Sequence, residues 1–186
     1  LPASERSESQ EICFIEEKSY LAFIKKLTTV EGRPGPIIDL RGRVIGSHEG
    51  IYGYTIGQRK GMGVSSPDPL YVTDIDVRNN TIYAGPREAA KKKEFFVDGI
   101  NWIHLPSPTP GKGGPEALEF RASVKVRSTM KDKPATIQMV GSRASGLEGI
   151  VRVVFDEPQW APAPGQSAVF YDGDTVIGGG VIRRSA

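Results

Sequence analysis

The chain has 186 residues, enough for one large domain or two small ones. Its 24 lysines and arginines are nearly balanced by 22 aspartates and glutamates, so no global polycation advertises a nucleic-acid partner. No apolar run is long enough to span a bilayer, and the single cysteine excludes an internal disulfide or a cysteine-built zinc site. Residues 1–17 show no basic region followed by an apolar core, so a cytoplasmic location and no membrane partner are expected. The 22 glycines and 14 prolines are dispersed rather than repetitive, as suits short strands joined by tight turns.

Residues 18–27 carry the one helical pattern: Tyr20, Phe23, Ile24 and Leu27 fall at three- and four-residue steps on one face. Glu16 and Glu17 precede it and Lys25 and Lys26 end it, each sign at the helix pole that favours it. The run Arg33-Pro34-Gly35-Pro36 then stops the helix.

From there the period drops to two. Residues 36–40 and 43–46 flank a tight turn at Arg41-Gly42, and 70–76 and 81–84 flank a second at 78–80. Residues 95–103 form a further strand region, and the Pro/Gly-rich stretch 106–115 is expected to lie outside any sheet. Over 118–127, Leu118, Phe120, Ala122, Val124 and Val126 alternate strictly with polar residues, predicting a half-buried strand. On that pattern Arg121, Lys125 and Arg127 project together from its polar face. Strands are also expected over 135–140, 149–155, 167–171 and 175–182, with Gly178–Gly180 marking a bulge or a close backbone contact. The fold class expected is therefore mainly β: a small mixed central module with one short helix, residues 1–88, followed by an antiparallel β-barrel, residues 89–186.

Candidate chemistry is sparse. Cys13, between Ile12 and Phe14, reads by itself as a small buried hydrophobe, and the acids around it disfavour a thiolate. The loop 54–63, YTIGQRKGMG, has glycines and two bases but neither the Walker nor the GxGxxG spacing, and reads as a structural loop. His48 and His104 share no ligand spacing, so no metal site is expected. Charge is uneven, however: residues 121–152 hold seven bases against two acids, the first place to look for a polyanion contact.

Four stretches, SQEICFI (9–15), HEGIYGYTIGQRKGMGV (48–64), PLYVTDIDVRNNTIYAG (69–85) and FDEPQWAPAPGQSAVFYDGDTVIGGGVI (155–182), closely resemble the C-terminal half of the bacterial tRNA-specific 2-thiouridylases. The resemblance implies a parent enzyme that sulfurates the wobble uridine of certain tRNAs at position 2, using ATP with Mg to adenylate the base. It implies a persulfide carried on Cys13, loaded by a sulfur-relay protein; sulfur in that form can attack the adenylated carbon. It implies a barrel resembling the second domain of elongation factors, with tRNA contacts on Arg127, Ser128 and Gln166. The family often has an aromatic residue where Ser128 stands. The 186 residues contain no SGGxDS-type ATP loop and no second cysteine. The expectation is a fragment lacking the N-terminal ATP-pyrophosphatase-type domain, binding no cofactor itself and inactive alone. The competing reading is a free-standing tRNA- or RNA-binding barrel without catalysis.

Overall fold

The computed structural model describes residues 32–104, 109–110, 118–140 and 149–184. The expected helix at 18–27 and the segment around Cys13 lie outside these residues.

Among the described residues, eleven strands form two sheets. The first is small and mixed: β1 (Gly35–Asp39), β2 (Val44–His48), β3 (Tyr71–Asp76) and β4 (Thr81–Gly85), in the order β2-β1-β4-β3. Both expected hairpins are present as antiparallel pairs, β1 with β2 and β3 with β4, while β1 and β4 run parallel. Asp39 accepts hydrogen bonds from the Arg41 and Arg43 backbone N–H groups at 2.9 Å, which closes the first turn. Asp76 does the same for the second through the Asn79 N–H at 3.0 Å and its Nδ2 at 2.7 Å. Ile37, Val72, Ile82 and Ala84 are buried at the centre of this sheet, with Met62 from the long loop packed on them. His48 is buried here too, its Nε2 donating to the Asn80 carbonyl at 3.0 Å.

A 3₁₀ turn, Arg87–Ala90, leads into the second sheet. It comprises β5 (Lys91–Trp102), β6 (Thr109–Pro110), β7 (Leu118–Lys125), β8 (Lys133–Val140), β9 (Ile150–Trp160), β10 (Ser167–Asp172) and β11 (Thr175–Ile182). Six of them run β10-β11-β5-β9-β8-β7, and β10 pairs back onto β7, closing an antiparallel barrel. The barrel is filled by the inward positions of the alternating strands, among them Phe120, Val124, Ile137, Val153, Phe155 and Phe170. The chain is thus mainly β, a closed six-strand barrel with a small mixed sheet beside it.

Two details depart from the sequence pattern. Thr109 and Pro110, expected outside any sheet, pair with Glu119 and Leu118. They form a two-residue edge strand, where a proline without an N–H is tolerated. Strand β9 also runs on to Trp160, past the expected end at 155. Its register on β5 jumps from Glu94↔Val154 to Lys92↔Gln159, so residues 155–158 bulge out of that ladder. The glycine triplet behaves as expected. A Cβ at Gly178 would lie 2.6 Å from the Trp102 ring, and one at Gly180 would lie 2.5 Å from the Asp98 carbonyl. Between Gly179 and Val181 the register on β5 shifts.

Candidate nucleic-acid interface

The antiparallel order places four chain segments at one end of the barrel. Strands β7, β9 and β11 all end there, and β5, β8 and β10 begin there. The end is therefore built from the turn after β7, the connection 161–166, the residues after β11 and the 3₁₀ turn before β5.

Arg127 lies beyond the end of β7, and its side chain does not continue the strand's polar face. Its Nη2 donates to the Ala161 carbonyl at 2.7 Å, while its buried Nε has no partner among the described residues. Burial lowers its pKa, though a guanidinium remains cationic. Ala161 is fully buried, carries φ +46°, and donates its own N–H to Ala90 at 3.1 Å. A non-glycine residue in that region persists only when its surroundings over-determine it, and Arg127 supplies part of that restraint. Ser128 follows on the exposed surface of the turn that the Met130 N–H closes onto the Arg127 carbonyl at 3.1 Å.

Gln166 stands at the far end of the same connection. Its Oε1 accepts from the Ala163 N–H at 3.0 Å, and its carbonyl accepts from the Ile182 N–H at 2.8 Å. With the oxygen engaged, the Nε2 amide is left as a donor without a partner among the described residues. The three candidate contacts, Arg127, Ser128 and Gln166, thus belong to two neighbouring connections at one end of the barrel, and Arg127 is bonded to the connection that bears Gln166.

The other bases of the 121–152 stretch divide into two groups. Arg121 makes a two-pronged pair with Asp156, at 2.8 and 2.7 Å, and also donates to Thr136. Arg152 pairs with Glu94 and reaches Gln138. Pairing of these two arginines makes the patch less basic than its composition implies, while Lys125, Lys131 and Lys133 have no ion pair among the described residues.

The loop 54–63 docks the mixed sheet onto this end. Its Gln58 side chain ties the loop to itself, accepting from the Thr55 N–H at 3.0 Å and donating to the Lys60 carbonyl at 2.9 Å. Ile56 is buried with Ala161 and Ala163, and Trp160 packs at their edge. Tyr71 meets Trp160 edge-on at 5.4 Å, and the Arg87 guanidinium lies 4.9 Å from the Trp160 ring centroid. Beside this joint a cleft of about 790 Å³ opens between the β3–β4 hairpin and the barrel end. Among the described residues no group of His, Cys, Asp or Glu could hold a metal ion, and no helix is long and apolar enough to cross a membrane.

Residues 22–86 match the model of a tRNA methyl transferase PRC-barrel domain, and residues 92–182 match that of an aminomethyltransferase beta-barrel domain. A tRNA-specific 2-thiouridylase MnmA of Trichormus variabilis is 41% identical over 186 residues, which are 99% of this chain and 48% of that protein. Namesakes from Symbiobacterium thermophilum and Caldanaerobacter subterraneus are 41% and 42% identical, over 98% and 99% of the chain. The chain belongs to the tRNA-specific 2-thiouridylase family. It spans about half the length of the curated relatives it matches, corresponding to the C-terminal part of the family's proteins.

Within that 2-thiouridylase frame, the inward bond of Arg127 and the Ile56–Ala161 joint are features that sequence reasoning missed. Alternation assigns a side chain to a face only while the strand lasts, and β7 ends two residues before Arg127. The run Trp160-Ala161-Pro162-Ala163-Pro164 was a visible signal, since small and proline residues suit a close contact between elements.

Proposed function

We propose that the chain is the tRNA-contacting and sulfur-carrying part of a tRNA 2-thiouridylase. The observation that carries the reading is the gathering of Arg127, Ser128 and Gln166 on two adjoining connections at one barrel end. There the amide of Gln166 is left as a donor, and Ser128 is exposed. Amide and hydroxyl donors of this kind reach phosphate and sugar oxygens, and position an RNA without reading its sequence. Cys13 carries the persulfide delivered by a sulfur-relay protein; its outer sulfur attacks the adenylated C2 of the uridine and displaces AMP. A second thiol of the complete enzyme then attacks the Cys13 sulfur, breaking the S–S bond, forming a disulfide and releasing the 2-thiouridine. ATP with Mg belongs to an adenylating domain of N-terminal ATP-pyrophosphatase type, so these 186 residues alone form no 2-thiouridine. A substrate of this kind puts the protein in the cytoplasm.

The test is a titration of the chain with fluorescent tRNA at low salt. Gln166→Glu keeps the oxygen that the Ala163 N–H needs but replaces the outward donor with negative charge, so tRNA affinity falls several-fold at unchanged stability. In the complete enzyme, Cys13→Ser abolishes 2-thiouridine while leaving tRNA binding intact. Absence of tRNA binding by the parent chain, or equal binding by Gln166→Glu, would overturn the reading of the barrel. Continued thiolation by Cys13→Ser would overturn that of the cysteine.

A further inference from the structure

We propose that the cleft between the β3–β4 hairpin and the barrel end is a second RNA site, which holds the sugar–phosphate backbone of the tRNA. The inference rests on the tRNA-binding reading above and adds a site to it. Its starting point is the commitment of the described arginines of the 121–152 stretch: Arg121 and Arg152 are paired with carboxylates, and Arg127 is anchored through Nη2 to a backbone carbonyl. A guanidinium held in this way has fewer donors left for phosphate.

The cleft has the opposite character. Arg78 from the β3–β4 turn, Lys92 from the start of β5, and Arg183 and Arg184 after β11 all line it. None of the four has an ion pair among the described residues, and Arg78, Arg183 and Arg184 are exposed. They stand on three elements drawn from both sheets. That distribution suits an extended anion spanning the joint rather than one small ion at a point.

Three carboxylates share the wall, and two are already engaged. Asp76 is held by Asn79, whose backbone N–H and side-chain bonds lower its pKa. Glu94 is paired with Arg152, which brings its own positive charge. Asp74 is exposed, and among the described residues its Oδ1 accepts only from the neighbouring Ile75 N–H at 2.9 Å. Hydrogen bonds from a neutral amide leave Asp76 charged, so the four cations of the lining face three carboxylates of which Arg152 compensates one; the cations prevail by that margin, and Asp74 and Asp76 oppose them.

This asymmetry predicts changes of both signs. In anisotropy titrations of the chain with tRNA across a salt series, the Arg183→Ala/Arg184→Ala double variant binds several-fold more weakly. Its log–log salt slope drops by about 0.7–0.9 for each phosphate that is no longer neutralised. The fold is spared, because Arg183 joins the barrel through its backbone N–H to the Phe96 carbonyl. Arg78→Ala acts likewise. Asp74→Asn keeps the acceptor for the Ile75 N–H and removes the repulsion, so binding tightens roughly twofold at low salt. Arg41→Ala makes the same charge change as Arg78→Ala at the exposed β1–β2 turn, outside the cleft, and leaves the slope alone. If the parent binds tRNA while the cleft variants keep its slope, or Arg41→Ala lowers the slope equally, the cleft assignment is wrong and the interface reading survives. A parent chain that binds no tRNA overturns both.

Discussion

Replacing Arg127 by alanine tests the structural half of its role apart from any RNA. The substitution deletes the 2.7 Å bond to the Ala161 carbonyl, which belongs to a fully buried residue at φ +46°. A hydrogen bond from a charged donor contributes about 1.5–3 kcal/mol, and a buried acceptor left unpaired adds to the loss. Against this, the variant no longer buries the unpartnered Nε, which itself costs about 1–3 kcal/mol. The loss and the relief partly cancel, leaving a net destabilisation of about 1–2 kcal/mol. At ordinary urea sensitivity for a small protein that lowers the unfolding midpoint by about 0.5–1 M. The damage should be local as well as global: exchange at the Ala161 and Gln166 amides rises more than at the buried strands β8 and β9. Arg127→Lys retains a cationic donor and dispenses with the orphaned Nε–H, so it recovers most of the stability. An Arg127→Ala midpoint within about 0.2 M of the parent (about 0.2–0.6 kcal/mol at these urea slopes), with unchanged exchange at Ala161, would refute the clamp. So would equal damage from Arg127→Lys.

Gly57 sits at φ +88°, where a Cβ would lie 2.9 Å from that of Ala161. Gly57→Ala therefore strains the backbone and pries the loop from the barrel, costing about 1–3 kcal/mol by urea unfolding, and a cost below about 0.5 kcal/mol would contradict the joint. The two side-chain hydrogen bonds from Arg121 hold the Asp156 carboxyl below its ordinary value. A depressed folded pKa contributes stability above the unfolded carboxylate range, and that contribution is lost as pH falls through the folded value. In a carboxyl NMR titration the Asp156 midpoint should rise when Arg121 is replaced by Met, and an unmoved midpoint would show the pair to be inconsequential.

Much of this architecture is local and was legible in the residues. The alternation from Leu118 onward determined strand β7 and its buried Phe120 and Val124, because a period of two leaves only one face to bury. The Arg41-Gly42 and Asn79-Asn80 turns determined both hairpins through the side chains of Asp39 and Asp76, which act within four residues of themselves. The family strings along the chain likewise declared the kinship that the comparisons bear out. What the residues left open depends on partners far away in the chain. Closure of the barrel needs β10 to find β7, and the extension of β9 to Trp160 needs Lys91 and Lys92 as ladder partners. The direction of Arg127 was decided by a carbonyl 34 residues away, and the roles of Arg121 and Arg152 by acids 35 and 58 residues away. Charge counted along a stretch cannot register such pairing, since electrostatic compensation follows distance in space. Tertiary structure alone therefore separated the cations engaged in holding the barrel from those left free along the cleft.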